Sequence, residues 1–355
     1  MEGISPIEWP PKRCLIVAEL SANHGGSLER AMETLEAAKE AGADAVKLQT
    51  YRADTLTLPS EHPAFKIEGG LWDGRHLYSL YEEAHTPWEW HEPLFRRARE
   101  LELPIFSTPF DASAVELLDG LGVQLHKIAS FELYDLELVR VVARSNKPII
   151  LSTGMATLVE IGRAVETIRE EWGGRDHGLA LLRCVSAYPA APRDMNLKTI
   201  SALGPLFGVI PGLSDHTLGT AVATTSIAFG AKIIEKHFTL SRADGGPDAA
   251  FSLEPAELRR LVADVRIAEE AIGEIRFGPS EGDEASARFK RSILIVKDIE
   301  EGAALTEENI RILRPGAGLP PHLYRAILGR RASRALKGGT PLLAEDIADF
   351  ELGST

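Results

Sequence analysis

Cysteine is scarce in this chain: its 355 residues include two, Cys14 and Cys184. Two thiols make no disulfide framework and suit a reducing compartment. Each sits in an apolar run, so both read as buried thiols packed like small hydrophobes and not as metal ligands. No stretch approaches the roughly 20 apolar residues that a membrane-crossing helix needs. The opening segment, residues 1–13, carries prolines and the acids Glu2 and Glu8 but no apolar core, so no secretory leader is expected and the cytoplasm is the expected location. An excess of positive charge is missing too. The net charge is −13, which argues against nucleic acid or an anionic membrane surface as a partner. It does not bar a small anion, because a few lysines in a low-dielectric cleft outweigh a distant field. No glycine-rich phosphate loop of the Walker or dinucleotide type occurs, which argues against nucleotides.

What is present is a soluble composition, 44% hydrophobic and 26% charged, with an alternating pattern. Short apolar runs cover 14–20, 43–48, 104–107, 123–128, 148–151, 179–185, 207–213 and 231–234. Between most of them lie stretches with helical apolar spacing: 28–41, 91–101, 112–121, 136–145, 158–172, 195–203 and 218–229. Alternating strand and helix implies a parallel sheet, and eight repeats suit a closed (β/α)8 TIM barrel of the α/β class. Gly42, Gly122 and Gly230 read as helix ends feeding the next strand. Residues 50–89 break the rhythm with a segment rich in Gly, Trp, Tyr and His. Inserted after the second strand, it falls on the rim where barrel enzymes build substrate loops, or it packs on itself as decoration. A last helix, 258–273, closes a barrel domain of residues 1–275. Residues 276–291 read as a linker, and 292–355 as a small unit of short strands and turns with little core of its own, expected to lean on another surface.

The polar residues that matter stand where the runs end. Lys47 and Lys127 directly follow apolar stretches. One such lysine would read as a snorkelling surface residue. Two at equivalent strand ends, with Thr108, Ser130 and Ser152, make an anion cradle for phosphate and carboxylate. His216 and His237 end neighbouring runs beside Asp215 and Glu235. That grouping fits a divalent site with open positions, suited to Mn, Fe, Co or Zn and less to Mg, whereas a lone histidine would read as core. Glu19 and Glu132 are rim carboxylates able to bind hydroxyls, move protons, or pair with the lysines. Asp248 lies in a glycine-rich segment that reads as a closing loop or a plain turn.

The motifs Ala18-Glu19…Asn23-His24, Lys47-Leu48-Gln49-Thr50-Tyr51, Phe106-Ser107-Thr108-Pro109-Phe110, Lys127-Ile128-Ala129-Ser130, Ser152-Thr153-Gly154-Met155, Gly212-Leu213-Ser214-Asp215-His216-Thr217 and Glu235-Lys236-His237-Phe238-Thr239 together resemble the sialic acid synthase family. The resemblance spans residues 13–350 in order. The tail with Arg314-Pro315-Gly316 is similar to that family's antifreeze-protein-like (SAF, β-clip) domain. Glu19-Leu20-Ser21-Ala22-Asn23-His24, the segment Glu68-Gly69-Gly70-Leu71-Trp72-Asp73-Gly74 and Ser186 resemble the branch that makes pseudaminic acid. N-acetylneuraminate and legionaminic acid synthesis are the alternatives within the family. A carbohydrate-binding protein with an inactive barrel is the alternative outside it.

The resemblance implies condensation of phosphoenolpyruvate with an amino-sugar aldehyde and release of phosphate by C–O cleavage. It implies Lys47, Thr108, Lys127, Ser130, Ser152 and Ser214 on phosphoenolpyruvate, Ser186 as a substrate-binding residue where N-acetylneuraminate synthases commonly have asparagine, and His216 and His237 on Mn, Co or Mg. Glu19, Gln49, Glu132, Tyr188 and Asp248 would meet the sugar. Arg314 would reach it from the small domain of the other subunit in a swapped homodimer. Glu19 would position or deprotonate water, or bind a sugar hydroxyl.

Overall fold

The computed structural model describes residues 6–351. Eight parallel strands close in sequence order into a barrel: β1 (Leu15–Glu19), β2 (Ala45–Thr50), β3 (Ile105–Pro109), β4 (His126–Ile128), β5 (Ile149–Ser152), β6 (Leu179–Cys184), β7 (Ile210–Asp215) and β8 (Ile233–His237). Each matches one of the apolar runs. β8 pairs with β1 from Leu15↔Ile233 to Glu19↔His237, which leaves no open edge.

Side chains alternate along each strand, and the two parities build two different cores. Leu15, Val17, Ala45, Phe106, Leu125, Ile150, Ala180, Leu182 and Ile233 pack together inside the lower barrel, with Ile7 and Trp9 against them. The alternate residues, Ile16, Ala18, Val46, Leu48, Ile105, Leu213 and Ile234, face the helices. Buried strands with two apolar faces read as continuous hydrophobic runs, which is why they stand out in the sequence.

The helices are Leu28–Ala41, His91–Glu100, Ala112–Gly120, Leu136–Ala143, Leu158–Glu171, Ile200–Phe207, Ala221–Ser226 and Pro255–Ile272. The first is representative. The Ser27 hydroxyl caps it by accepting from the Arg30 amide, and Gly42 ends it at φ 90°, a left-handed conformation that favours glycine. Several boundaries shift from the sequence reading. The seventh run starts in the wrong element: Phe207 is the last residue of a helix and Gly208 its left-handed cap. The helix placed at 195–203 is instead a short 3-10 turn followed by Ile200–Phe207, and the one at 218–229 contracts to Ala221–Ser226 plus a 3-10 turn.

Residues 50–89 hold short helices, Ala53–Leu56 and Leu77–Ala84, at the carboxyl end of β2. The first compact unit ends at Gly273 and the second begins at Glu274. The region read as a linker contains two short helical turns, Glu281–Glu284 and Ala287–Phe289. In the second unit β9 (Ser292–Ile295) pairs antiparallel with β10 (Ile310–Leu313). Contrary to the sequence reading, this unit has a core of its own: Ile293, Ile295, Ile299, Leu305, Ile310, Leu319, Ile327, Leu336, Leu342 and Ile347 are buried together. Those residues are dispersed among turns and bridges, so no periodic pattern announces them.

On the helix side of β7 and β8, Asp215 and Lys236 form a buried ion pair at 2.8 Å, and the same ammonium donates to the Thr217 carbonyl at 2.5 Å. Asp215→Ala strands a buried ammonium, and we predict that it destabilises the barrel by about 3–5 kcal/mol, measured as the shift of its urea unfolding transition.

Candidate active site

Parity carries the polar residues inward just as it carries the apolar ones. Continuing the inward series up each strand gives Glu19 above Val17, Lys47 above Ala45, Thr108 above Phe106, Lys127 above Leu125, Ser152 above Ile150, Cys184 above Leu182, Ser214 and His216 on the β7 side, and Glu235 and His237 above Ile233. The register then sets neighbours. Glu19 pairs with both Lys47 and His237, Gln49 with Thr108, and Ser214 with Glu235. Asp215 and Lys236 fall on the other parity. Asp215 is therefore not beside the histidines as the sequence reading placed it: period-two alternation sends it to Lys236, outside the barrel wall.

The centre of the site is a buried charge cluster. Lys47 Nζ lies 2.5 Å from Glu19 Oε2 and 3.9 Å from Glu235 Oε2, and Lys127 Nζ lies 3.9 Å from Glu235 Oε1. Thr108 Oγ1 accepts from Lys47 at 3.0 Å, and Ser214 Oγ donates to Glu235 at 3.0 Å. Burial pulls Lys47 down, but Glu19 and Glu235 outweigh it and leave its pKa raised. Burial would raise Glu235, yet Lys127 and Lys47 outweigh it and hold that carboxylate below its usual value. Burial dominates at the other two groups, lowering Lys127 and raising Glu19. Glu235 is the anion that holds two ammonium groups together. The sequence reading noted it only as a neighbour of the histidines, and its in-register pairing with Ser214 on the β7–β8 ladder is what reveals its place.

Around the lysines is a ring of small hydroxyls. Among the described residues, Ser152 Oγ and Ser186 Oγ are buried with no hydrogen-bond partner. Unpartnered buried hydroxyls are costly unless a ligand meets them. Ser130 Oγ accepts from the Gly154 amide at 3.0 Å. A Cβ on Gly154 would lie 2.5 Å from Ser186 Oγ and 2.7 Å from Ser130 Oγ, so only glycine lets that backbone close on the cradle. Ammonium groups beside unpartnered hydroxyls make a site for a small polyanion.

His216 and His237 stand beside this cradle with ring centroids 5.3 Å apart. His216 Nδ1 donates to the Val185 carbonyl at 2.8 Å, which fixes a proton on that nitrogen and turns Nε2 toward any ligand. His237 Nδ1 is buried without a hydrogen-bond partner, 3.8 Å from Asp248 Oδ2. Burial, then the charge of His216 and Lys47, holds His237 well below the usual range and so neutral. Burial pulls His216 down, but Cys184 and the Val185 carbonyl outweigh it and leave its pKa raised, so a divalent cation held by both imidazoles would displace a proton from His216. Among the described residues no group of three or more His, Cys, Asp or Glu side chains could hold one. The remaining positions would fall to water and substrate oxygens, the pattern of an open catalytic site.

Above the cluster opens a cavity of about 480 Å³. Its polar side presents Ser21, Gln49, Glu132, Ser186, Tyr188, His237 and Asp248. Gln49 Nε2 donates to Ser21 Oγ at 2.8 Å and to Glu19 at 3.1 Å, and Ser21 donates to Asp248 at 2.5 Å. Burial lifts Glu132 from 4.5 to about 7. Tyr188 lies 4.3 Å, centroid to centroid, from His216. Cys14 and Cys184 are both buried, as read from sequence, but Cys184 Sγ lies 3.9 Å from His216 Nδ1, against the site and not remote from it. Thus Glu19, Lys47, Gln49, Thr108, Lys127, Ser130, Glu132, Ser152, Ser186, Tyr188, Ser214, His216, His237 and Asp248 all belong to the carboxyl end of one barrel. Arg314 belongs to the second unit, exposed just past β10. Ser21, Gly154 and Trp72 line or shape the site without having been singled out as site residues. Their small or apolar side chains carry no chemical signature until the register places them.

The fold and this site define a class: a (β/α)8-barrel enzyme with two buried lysines and a ring of hydroxyls beside a cavity at the carboxyl end of its strands. The chain belongs to the NeuB family, which residues 34–276 match, and residues 290–348 match the SAF domain. It is 47% identical over 340 residues to the pseudaminic acid synthase of Helicobacter pylori, spanning 95% of this chain and 98% of that protein. It is 38% identical to the N,N'-diacetyllegionaminic acid synthase of Legionella pneumophila, spanning 98% of each. The crystal structure of N-acetylneuraminic acid synthetase from Leptospira borgpetersenii superposes with a TM-score of 0.68 at 30% identity, covering 78% of this chain and 90% of that one.

Two predictions follow from the geometry. Gly154→Ala pushes Ser186 and Ser130 out of the cradle and should raise KM for the anionic substrate roughly 10- to 100-fold with the melting temperature little changed, read from initial rates and circular dichroism. Glu132 carries the second. The unfolded carboxyl ionises near 4.5 while the folded one holds its proton to about 7, so wild type loses stability as pH rises through that interval. Glu132→Gln lacks this loss and should gain about 1–3 kcal/mol relative to wild type above pH 7 and nothing below pH 4, measured by urea denaturation across pH.

Proposed function

We propose that the chain is a pseudaminic acid synthase, joining phosphoenolpyruvate to 2,4-diacetamido-2,4,6-trideoxy-L-altrose and releasing phosphate. The observation that carries the chemistry is the pair of buried lysines bracketing Glu235, with the unpartnered hydroxyls of Ser152 and Ser186 beside them. The branch rests on the 47% identity to a pseudaminic acid synthase against 38% to a legionaminic one.

In the reaction C3 of phosphoenolpyruvate bonds to the aldehyde carbon, water adds at C2, and the C2–O bond to phosphate breaks. One water is consumed and one phosphate released. Lys47 and Lys127 offset the charge of the substrate and orient it, which removes part of the entropic barrier. Ser130, Ser152 and Ser186 donate to its oxygens, while Thr108 and Ser214 hold Lys47 and Glu235 in place. A divalent Mn, Co or Mg ion held by His216 and His237 would supply Lewis acidity at the aldehyde oxygen. Glu19, hydrogen-bonded to Gln49 and paired with Lys47, is placed to orient or deprotonate the water, or to bind a sugar hydroxyl. Gln49, Glu132, Tyr188 and Asp248 face the sugar from the polar side of the cavity. Arg314 of the partner subunit completes the sugar site in a swapped homodimer. Phosphoenolpyruvate is a cytoplasmic metabolite, and two unpaired thiols suit that compartment.

Mass spectrometry of the product formed from each candidate sugar tests the reading. The trideoxy sugar should give a nonulosonic acid with one phosphate released per turnover, and better turnover of N-acetylmannosamine contradicts the branch. His216→Ala and His237→Ala should each lower bound metal per subunit at least tenfold, measured by elemental analysis, with activity lost in parallel. Full metal content in either variant removes the ion from that residue.

A further inference from the structure

The cavity above the charge cluster has polar and apolar lining, and much of the apolar part comes from the segment between β2 and β3. Leu56, Ile67, Leu77, Leu80 and Trp72 line it there. Trp72 is only half-buried, so its place does not rest on the hydrophobic core. It is fixed by two contacts. Its indole N–H donates to the Pro247 carbonyl at 3.0 Å, next to Asp248 in the segment after β8, and its ring lies 5.4 Å from that of Tyr188. Tyr188 in turn lies 4.3 Å from His216. With its one donor committed to Pro247, Trp72 offers the cavity an apolar face.

We infer that Trp72 is the specificity-determining residue of the sugar site, pinning an apolar wall that accepts the methyl-bearing acetamido and deoxygenated carbons of the sugar and rejects hydroxylated ones. This rests on the proposed reaction and adds where its choice of sugar is made. A hydroxyl pressed against the wall loses its water and gains no partner there, a difference of roughly 10- to 200-fold for a small group in an apolar pocket. The same contacts separate the two substrates physically. The wall lines the cavity, while Lys47, Lys127 and Ser152, assigned to phosphoenolpyruvate, lie on the barrel strands outside its lining.

Steady-state kinetics on the full-length enzyme test the inference, with 2,4-diacetamido-2,4,6-trideoxy-L-altrose and N-acetylmannosamine compared in wild type, Trp72→Ala and Trp72→Phe. Trp72→Ala should raise KM for the trideoxy sugar about tenfold or more. The ratio of kcat/KM between the two sugars should fall by a similar factor, and KM for phosphoenolpyruvate should change less than about twofold. Trp72→Phe keeps an apolar ring against Tyr188 but loses the N–H to Pro247, and should retain a ratio between those of wild type and Trp72→Ala, which also shows that loss in the alanine variant is not a folding defect. A ratio unchanged in Trp72→Ala, or an equal rise in both KM values, overturns the inference while leaving the reaction in place. Wild type that prefers N-acetylmannosamine overturns the branch and the wall's selectivity together.

Discussion

The site depends on one buried carboxylate held between two buried ammonium groups. Glu235 stands 3.9 Å from both Lys47 and Lys127, and none of the three is exposed. Removing two like charges from water beside each other is unfavourable unless a counter-charge sits between them. Glu235 supplies it, Ser214 fixes Glu235, and Glu19 takes the other side of Lys47. The cluster is balanced in formal charge, yet its hydroxyls remain unpartnered among the described residues. Such an arrangement is held ready for a ligand that brings negative oxygens, and the surrounding protein need not reorganise when it arrives.

The barrel makes that arrangement from simple rules. On β1, β2, β3, β4, β5 and β8 two residues of rise separate an apolar layer from a polar one, so the greasy lower plug of Val17, Phe106, Ile150 and Ile233 is also the floor of the site. The opposite parity makes a separate structural pair of Asp215 and Lys236 from residues adjacent in sequence to the functional ones. Within the motif Glu235-Lys236-His237, the first and last residues face the barrel interior and the middle one holds the wall.

Much of this was legible in the sequence. Eight runs gave eight strands because both faces of a barrel strand are buried and the signal is continuous. The two lysines, the two histidines and the serines were recognisable because charged or hydroxyl residues ending an apolar run have few structural uses. Asp215 was misplaced beside the histidines because proximity in the chain is not proximity in a strand, where parity decides. Glu235 was undervalued for the converse reason, since its partners come from β2, β4 and β7. The core of the second unit escaped because its residues are scattered among turns. Trp72 was visible as composition in an irregular insertion, but its contacts with Pro247 and Tyr188 join segments more than a hundred residues apart.

The Lys47–Glu235–Lys127 cluster and its hydroxyls are proposed to bind the phosphoenolpyruvate anion. A crystal structure of the enzyme soaked with phosphoenolpyruvate alone tests it most directly. Phosphate and carboxylate oxygens are expected within hydrogen-bond distance of both lysines and of Ser152 and Ser186. Phosphoenolpyruvate seated elsewhere in the barrel, with those hydroxyls still without partners, contradicts it.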